Sequence, residues 1–129
     1  MSERISGGMK EIEDYENFFL PVKNLEKAKE FYHKILKLPF KFDFSDKGMV
    51  AFQVGNQEPA IILKDLKRFP DAKPTIWFVV NDVKEAFEII KKKSVPFISE
   101  PFKIPTGFIV EFEDPFGNRL GITDYSNRK

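Results

Sequence analysis

A chain of 129 residues can build one domain with a sizeable core, and 42% hydrophobic with 32% charged residues is ordinary for a soluble globular protein. The net charge of +1 provides no field for gathering nucleic acid or acidic membrane, and the lack of cysteine excludes disulfides, thiolate nucleophiles and sulfur-ligated metals. No apolar run reaches membrane-spanning length, and MSERISGGMK lacks the apolar core of a signal peptide, so a cytoplasmic location is expected.

Residues 1–11 read as a flexible tail, with Gly7-Gly8 ahead of Met9, which could itself be the natural start. Branched and aromatic residues at 13–22 predict a first strand. Asn24 is a plausible N-cap, and the apolar spacing of Leu25, Ala28, Phe31 and Ile35 predicts a helix over 25–37 with those residues on its core face. His33, the one histidine, then falls on the solvated face with Glu26, Glu30 and Lys34, an unsuitable place for a ligand or base. Strands follow over 39–45, 48–54 and 58–64. Phe40, Phe42 and Phe44 alternate along the first of these, as plain core or as an edge for association with other chains.

The same order recurs in the second half. A strand over 74–81 precedes a helix over 83–93, where Asp82 and Glu85 form a capping box and Lys91-Lys92-Lys93 suits the C-terminal end of the helix dipole. Strands over 96–103, 106–113 and 118–124 complete it, and Asp114-Pro115-Phe116-Gly117-Asn118 has tight-turn chemistry between the last two. Gly121 lies inside the final strand, where glycine marks a bulge, a close approach or a place something else must fit.

One offset relates the halves. Leu25 aligns with Val83, Ala28 with Ala86 and Phe31 with Ile89, all 58 residues apart, and the flanking strands follow without a gap. This predicts an α+β fold of two tandem βαβββ modules, about 12–66 and 73–125, within a single domain over 12–129. Their curved mixed sheets would enclose a cleft, with the helices on the outer faces.

FFLPVKNLEKAKEFYHKILKLPF (18–40) and FEDPFGNRLGI (112–122) resemble the opening and closing motifs of the glyoxalase, bleomycin-resistance and dioxygenase superfamily, the vicinal oxygen chelate proteins. The resemblance covers about 13–124 and implies the doubled fold, but the scaffold hosts many activities. In metal-dependent members, histidine and glutamate on the first and last strands of each half hold an ion. Those positions fall here on Asn17, Leu63, Thr75 and Gly121, and both 75 minus 17 and 121 minus 63 give 58. Leucine and glycine side chains cannot coordinate, and amide or hydroxyl oxygens are poor partners for zinc, nickel or iron, so neither a metal nor another cofactor is expected.

Alternation places Asn17, Phe19, Thr75, Trp77, Glu111, Arg119 and Gly121 on the cleft side, with Ala51, Gln53, Ile61 and Leu63 completing the first half. Trp77 can stack on a ring or a cation, or can simply fill core. Glu111 and Arg119 lie on adjacent strands, where they either pair with each other or meet a ligand. This mostly apolar wall suits a small aromatic or amphipathic organic molecule, bound without metal. The resemblance implies sequestration or resistance of the kind metal-free members perform, although the near-neutral charge argues against bleomycin itself. It also implies a homodimer. The alternative is a lyase or dioxygenase-type enzyme using an unrecognised metal or Glu111 as a general base; the absence of a second catalytic group favours the non-enzymatic reading.

Overall fold

In the computed structural model, residues 12–127 are described, so the expectations for the 1–11 tail and for Met9 lie outside them. The order of elements is β1 (Asp14–Val22), α1 (Leu25–Glu30), β2 (Phe40–Phe44), β3 (Met49–Gln53), β4 (Ala60–Asp65), β5 (Thr75–Val79), α2 (Val83–Lys91), β6 (Phe102–Ile104), β7 (Gly107–Glu113) and β8 (Arg119–Thr123). This is the doubled βαβββ order of an α+β fold. Two compact units divide inside β1 and β5, one of residues 16–76 and one of 77–127 joined by 12–15.

In the 16–76 unit the strands run in the order β2-β3-β4-β1, with β1 parallel to β4 and the other neighbours antiparallel. The Asn24 side chain accepts from Lys27 N–H at 3.0 Å and so starts α1. After Glu30 the helix widens into a π-helical turn, Phe31–Ile35, in which Leu36 N–H reaches back to Phe31 O at 3.0 Å. Leu25, Ala28 and Tyr32, spaced i, i+3 and i+7, share the helix face that packs on Val50, Phe52 and Leu63. Phe31 and Ile35, expected in the core, are 45% and 66% exposed.

In the 77–127 unit the order is β5-β8-β7-β6. The Asp82 side chain accepts from Glu85 N–H at 3.1 Å at the start of α2. That helix covers one sheet face through Val83, Ala86 and Phe87, against Val80, Val110 and Ile122. The predicted 96–103 strand shrinks to β6 and a single bridge from Phe97 to Phe112. Asp124, 2% exposed, ties the unit together: its carboxylate accepts from Val83 N–H at 2.8 Å, Phe108 N–H at 2.9 Å and Ser126 Oγ at 2.8 Å. Gly107 makes that approach possible, because a Cβ there would fall 2.3 Å from Asp124 Oδ1.

Candidate functional site

In the 77–127 unit, the face of the sheet turned away from α2 carries the side chains with chemistry. Glu111 pairs with Gly121 and Glu113 with Arg119, so these four share a face, while Val110 and Ile122 lie in the α2 core. Trp77, from β5, lies against the glycine. A Cβ on Gly121 would fall 2.6 Å from Trp77 Cδ1 and 2.8 Å from Nε1. The residue is a glycine because the indole occupies the space of its side chain. The Trp77 indole N–H donates to Glu111 Oε2 at 2.8 Å, which fixes both groups.

Of the two alternatives for Glu111 and Arg119, the mutual pair does not form: Glu111 meets Trp77 and Arg119 meets Glu113. Arg119 Nη2 lies 3.8 Å from Glu113 Oε2, its partner in register, and the two side chains are 15% and 25% exposed. Asp114 belongs to the turn, as its residue type suggested: its carboxylate accepts from Phe116 N–H at 2.8 Å and Asn118 N–H at 2.9 Å. The Asn118 side chain and backbone, followed by the backbone of Phe116, hold that carboxyl below its ordinary pKa.

In the 16–76 unit, Asn17 and Phe19 point away from the α1 core, as alternation requires. Asn17 Oδ1 accepts from Ala60 N–H at 2.9 Å, its register partner. Phe19 is 7% exposed and lies beside Ile62 in the parallel pair. Thr75, 6% exposed, donates its hydroxyl to Lys73 O at 2.8 Å.

Leu63 is a correction. It is fully buried in the core beneath α1, with Leu25, Val50 and Phe52, and Ile61 packs there too. The cause lies in the hairpins. Gln53 pairs with Ala60, seven positions on, whereas Glu111 pairs with Gly121, ten positions on. The second hairpin is three residues longer, so an ungapped repeat misplaces β4 by an odd number and turns its side chains to the wrong face. The counterpart of Gly121 is Ala60. The same slip hid Lys64, whose Nζ lies 5.5 Å from the Phe19 ring centroid and 4.6 Å from that of Phe69. A gap placed in the 54–59 turn would have found it.

The metal positions implied by the resemblance do not fit an ion. The Asn17 oxygen is engaged by the backbone, the Thr75 hydroxyl donates to Lys73 O, the side chains of Ala60 and Gly121 carry no donor atom, and an indole covers the glycine. Among the described residues, no three His, Asp or Glu side chains come together, and no helix is long and apolar enough to cross a membrane. His33 is exposed, with Nδ1 2.9 Å from Leu38 O and its ring 4.2 Å from that of Phe40.

Residues 14–122 match the family model described as Glyoxalase/Bleomycin resistance protein/Dioxygenase superfamily. The uncharacterized protein YurT of Bacillus subtilis (strain 168) is 33% identical over 67 residues, 52% of this chain and 53% of that protein, so the match spans about half the length of each. A glyoxalase/bleomycin resistance protein/dioxygenase superfamily member from Vibrio splendidus 12B01 superposes with a TM-score of 0.62 at 13% identity, covering 83% of this chain and 94% of that one. Methylmalonyl-CoA epimerase from Mycobacterium tuberculosis gives 0.67 at 15%, covering 95% and 93%. A homoprotocatechuate 2,3-dioxygenase variant from B. fuscum gives 0.70 at 16%, covering 95% of this chain and 35% of that one. These likenesses concern the fold, and the sequence match over 14–122 carries the lineage: the chain belongs to the glyoxalase/bleomycin resistance protein/dioxygenase superfamily.

Proposed function

We propose that this protein binds a small aromatic or amphipathic organic molecule without a metal, using the sheet face that carries Trp77, Glu111 and Arg119. The observation that carries the reading is the indole of Trp77 over Gly121, with its N–H on Glu111. Where the resemblance would put a metal-binding carboxylate, this chain has an aromatic plate fixed beside an acidic group. Such a pair suits a ring or the apolar part of a ligand on one side and a hydrogen-bonding group on the other. Asn17 and Phe19, on the helix-free face of the 16–76 unit, are proposed as ligand-facing too. The same reading has the protein act by sequestration in the cytoplasm, as a homodimer.

A second reading rests on Glu111 alone. The Trp77 indole N–H fixes the orientation of the Glu111 carboxylate, and that fixed acidic group is what supports a lyase or dioxygenase-type reaction as the alternative. Metal content separates a chelating enzyme from the proposed binder. Untagged protein purified without chelator should hold no stoichiometric metal, and its melting temperature should not move with Zn²⁺, Ni²⁺, Fe²⁺ or Mn²⁺. A stoichiometric ion accompanied by a thermal shift would contradict the proposal.

A further inference from the structure

We propose that the C-terminal end of the first helix is a docking surface for an anionic lipid bilayer. Phe31, Ile35 and Leu36 enter the interface, and Lys27, Lys34 and Lys37 meet the lipid phosphates. The surface lies in the 16–76 unit, on residues outside those proposed above for the organic ligand, and is independent of that site.

Charge is unevenly spread along this chain. Residues 23–41 hold six lysines against two glutamates, a net +4, and the remainder is net −3; together these make the +1 that by itself gathers no acidic surface. Within the basic segment, Lys29 is engaged by Asp43 at 3.0 Å and Glu26 at 3.6 Å. Lys23, Lys27 and Lys37 form no ion pair among the described residues. Lys34 lies 3.7 Å from Glu30 with both side chains well exposed, a pair that contributes little and leaves the ammonium able to turn to another anion.

Apolar side chains stand beside these charges. Phe31, Ile35 and Leu36 fall off the buried stripe of Leu25, Ala28 and Tyr32 and are 45%, 66% and 48% exposed. The other half of the chain shows that the fold does not require them. Helix α2 also ends on a residue in the left-handed region, Ser94 with φ of 65°, as the first helix ends on Lys37 with φ of 61°. Ahead of Ser94 stand Lys92 and Lys93, both exposed, where the first helix has Ile35 and Leu36. One helix end is polar, and its counterpart is apolar with a basic rim. Glycine is the residue that suits the backbone at 37; lysine accepts strain there and keeps a charge next to Leu36.

An open groove of about 430 Å³ beside the patch is lined by Lys27, Glu30, Phe31, Lys34 and Ile35, so cations and apolar carbons border the same space. An anionic lipid has the complementary composition, with phosphate for the lysines and acyl carbon for Phe31 and Ile35. Lysine stems lie along apolar surface and keep their ammonium groups in the polar layer, as interfacial helices require. A helix surface presents no backbone edge for a strand to join, and a bilayer needs none. Three apolar side chains alone insert weakly, whereas each lysine near an acidic bilayer strengthens binding about fivefold, so the surface works through both.

The test is co-sedimentation of the full chain with vesicles of equal parts phosphatidylcholine and phosphatidylglycerol, against vesicles of phosphatidylcholine alone. At low salt the mixed vesicles should bind at least about tenfold more tightly, and about 1 M salt, which shortens screening to about 3 Å, should release the protein. Ile35→Gln combined with Leu36→Gln should weaken binding at least about fivefold by removing the inserted carbons. Lys37→Gly, which removes a charge and relieves the backbone, should weaken it about fivefold. Phe116→Gln and Lys92→Gln, exposed changes outside the patch, should leave binding as it was. Failure to bind the mixed vesicles at low salt overturns the proposal and leaves the patch to an acidic protein segment. Binding that F116Q or K92Q weakens as much as the patch variants do overturns it too. A concentration-dependent dimer that the I35Q, L36Q variant abolishes, with vesicle binding unchanged, assigns the patch to a second copy of the chain instead.

Discussion

Gly121 and Asp124, three positions apart on one strand end, show how much one side chain decides. At Gly121 even a methyl group would force the Trp77 indole off its seat and away from Glu111. Gly121→Ala should cost about 1–3 kcal/mol in urea denaturation and shift the emission of this single tryptophan to the red. An unchanged spectrum would mean that the indole is not held there. Asp124 is governed by two opposed effects. Burial penalises its charge, but donors from Val83, Phe108 and Ser126 outweigh it, and its pKa lies below the usual 3.8. A depressed carboxyl stabilises fully above its unfolded pKa and loses that contribution as pH falls through the folded value. Asp124→Asn should therefore be less stable at neutral pH by about 1–3 kcal/mol, with the gap closing in acid below 3.8. An equal gap at both ends of that range would exclude this role.

The elements were legible because their causes are local. Asn24 and Asp82 both cap helices through their side chains, and the turn around Gly117, with φ of 84°, is built by Asp114 as its residue types require. What escaped was geometry that residue type does not encode. Tyr32 continues the stripe of Leu25 and Ala28, and residue type alone does not decide between it and the neighbouring Phe31 and Ile35 for the core. The extra length of the second hairpin is set by how many residues its turn spends, and an ungapped repeat cannot see it. Leu63 was misplaced for that reason alone, whereas alternation within one strand needs no gap and puts Asn17, Phe19, Trp77 and Glu111 on the sheet faces away from the helix cores. The correction can be tested directly. Leu63→Ala should cost about 3–5 kcal/mol, as a cavity under α1 does. A loss below about 0.5 kcal/mol, usual for a surface position, would return Leu63 to the other face.

For the whole molecule, the doubled βαβββ order and the family match establish lineage, and chemistry must come from the residues placed on the scaffold. This chain places an indole over a glycine, beside a glutamate, where the resemblance expects a ligating carboxylate. The most direct test follows Trp77 fluorescence while planar and amphipathic organic compounds are titrated in, with and without excess chelator. The expected result is a saturable change for at least one compound class, identical in chelator and weakened by Glu111→Gln. Binding that disappears with chelator, or an indole indifferent to every compound while the protein stays folded, would contradict metal-free recognition at this face.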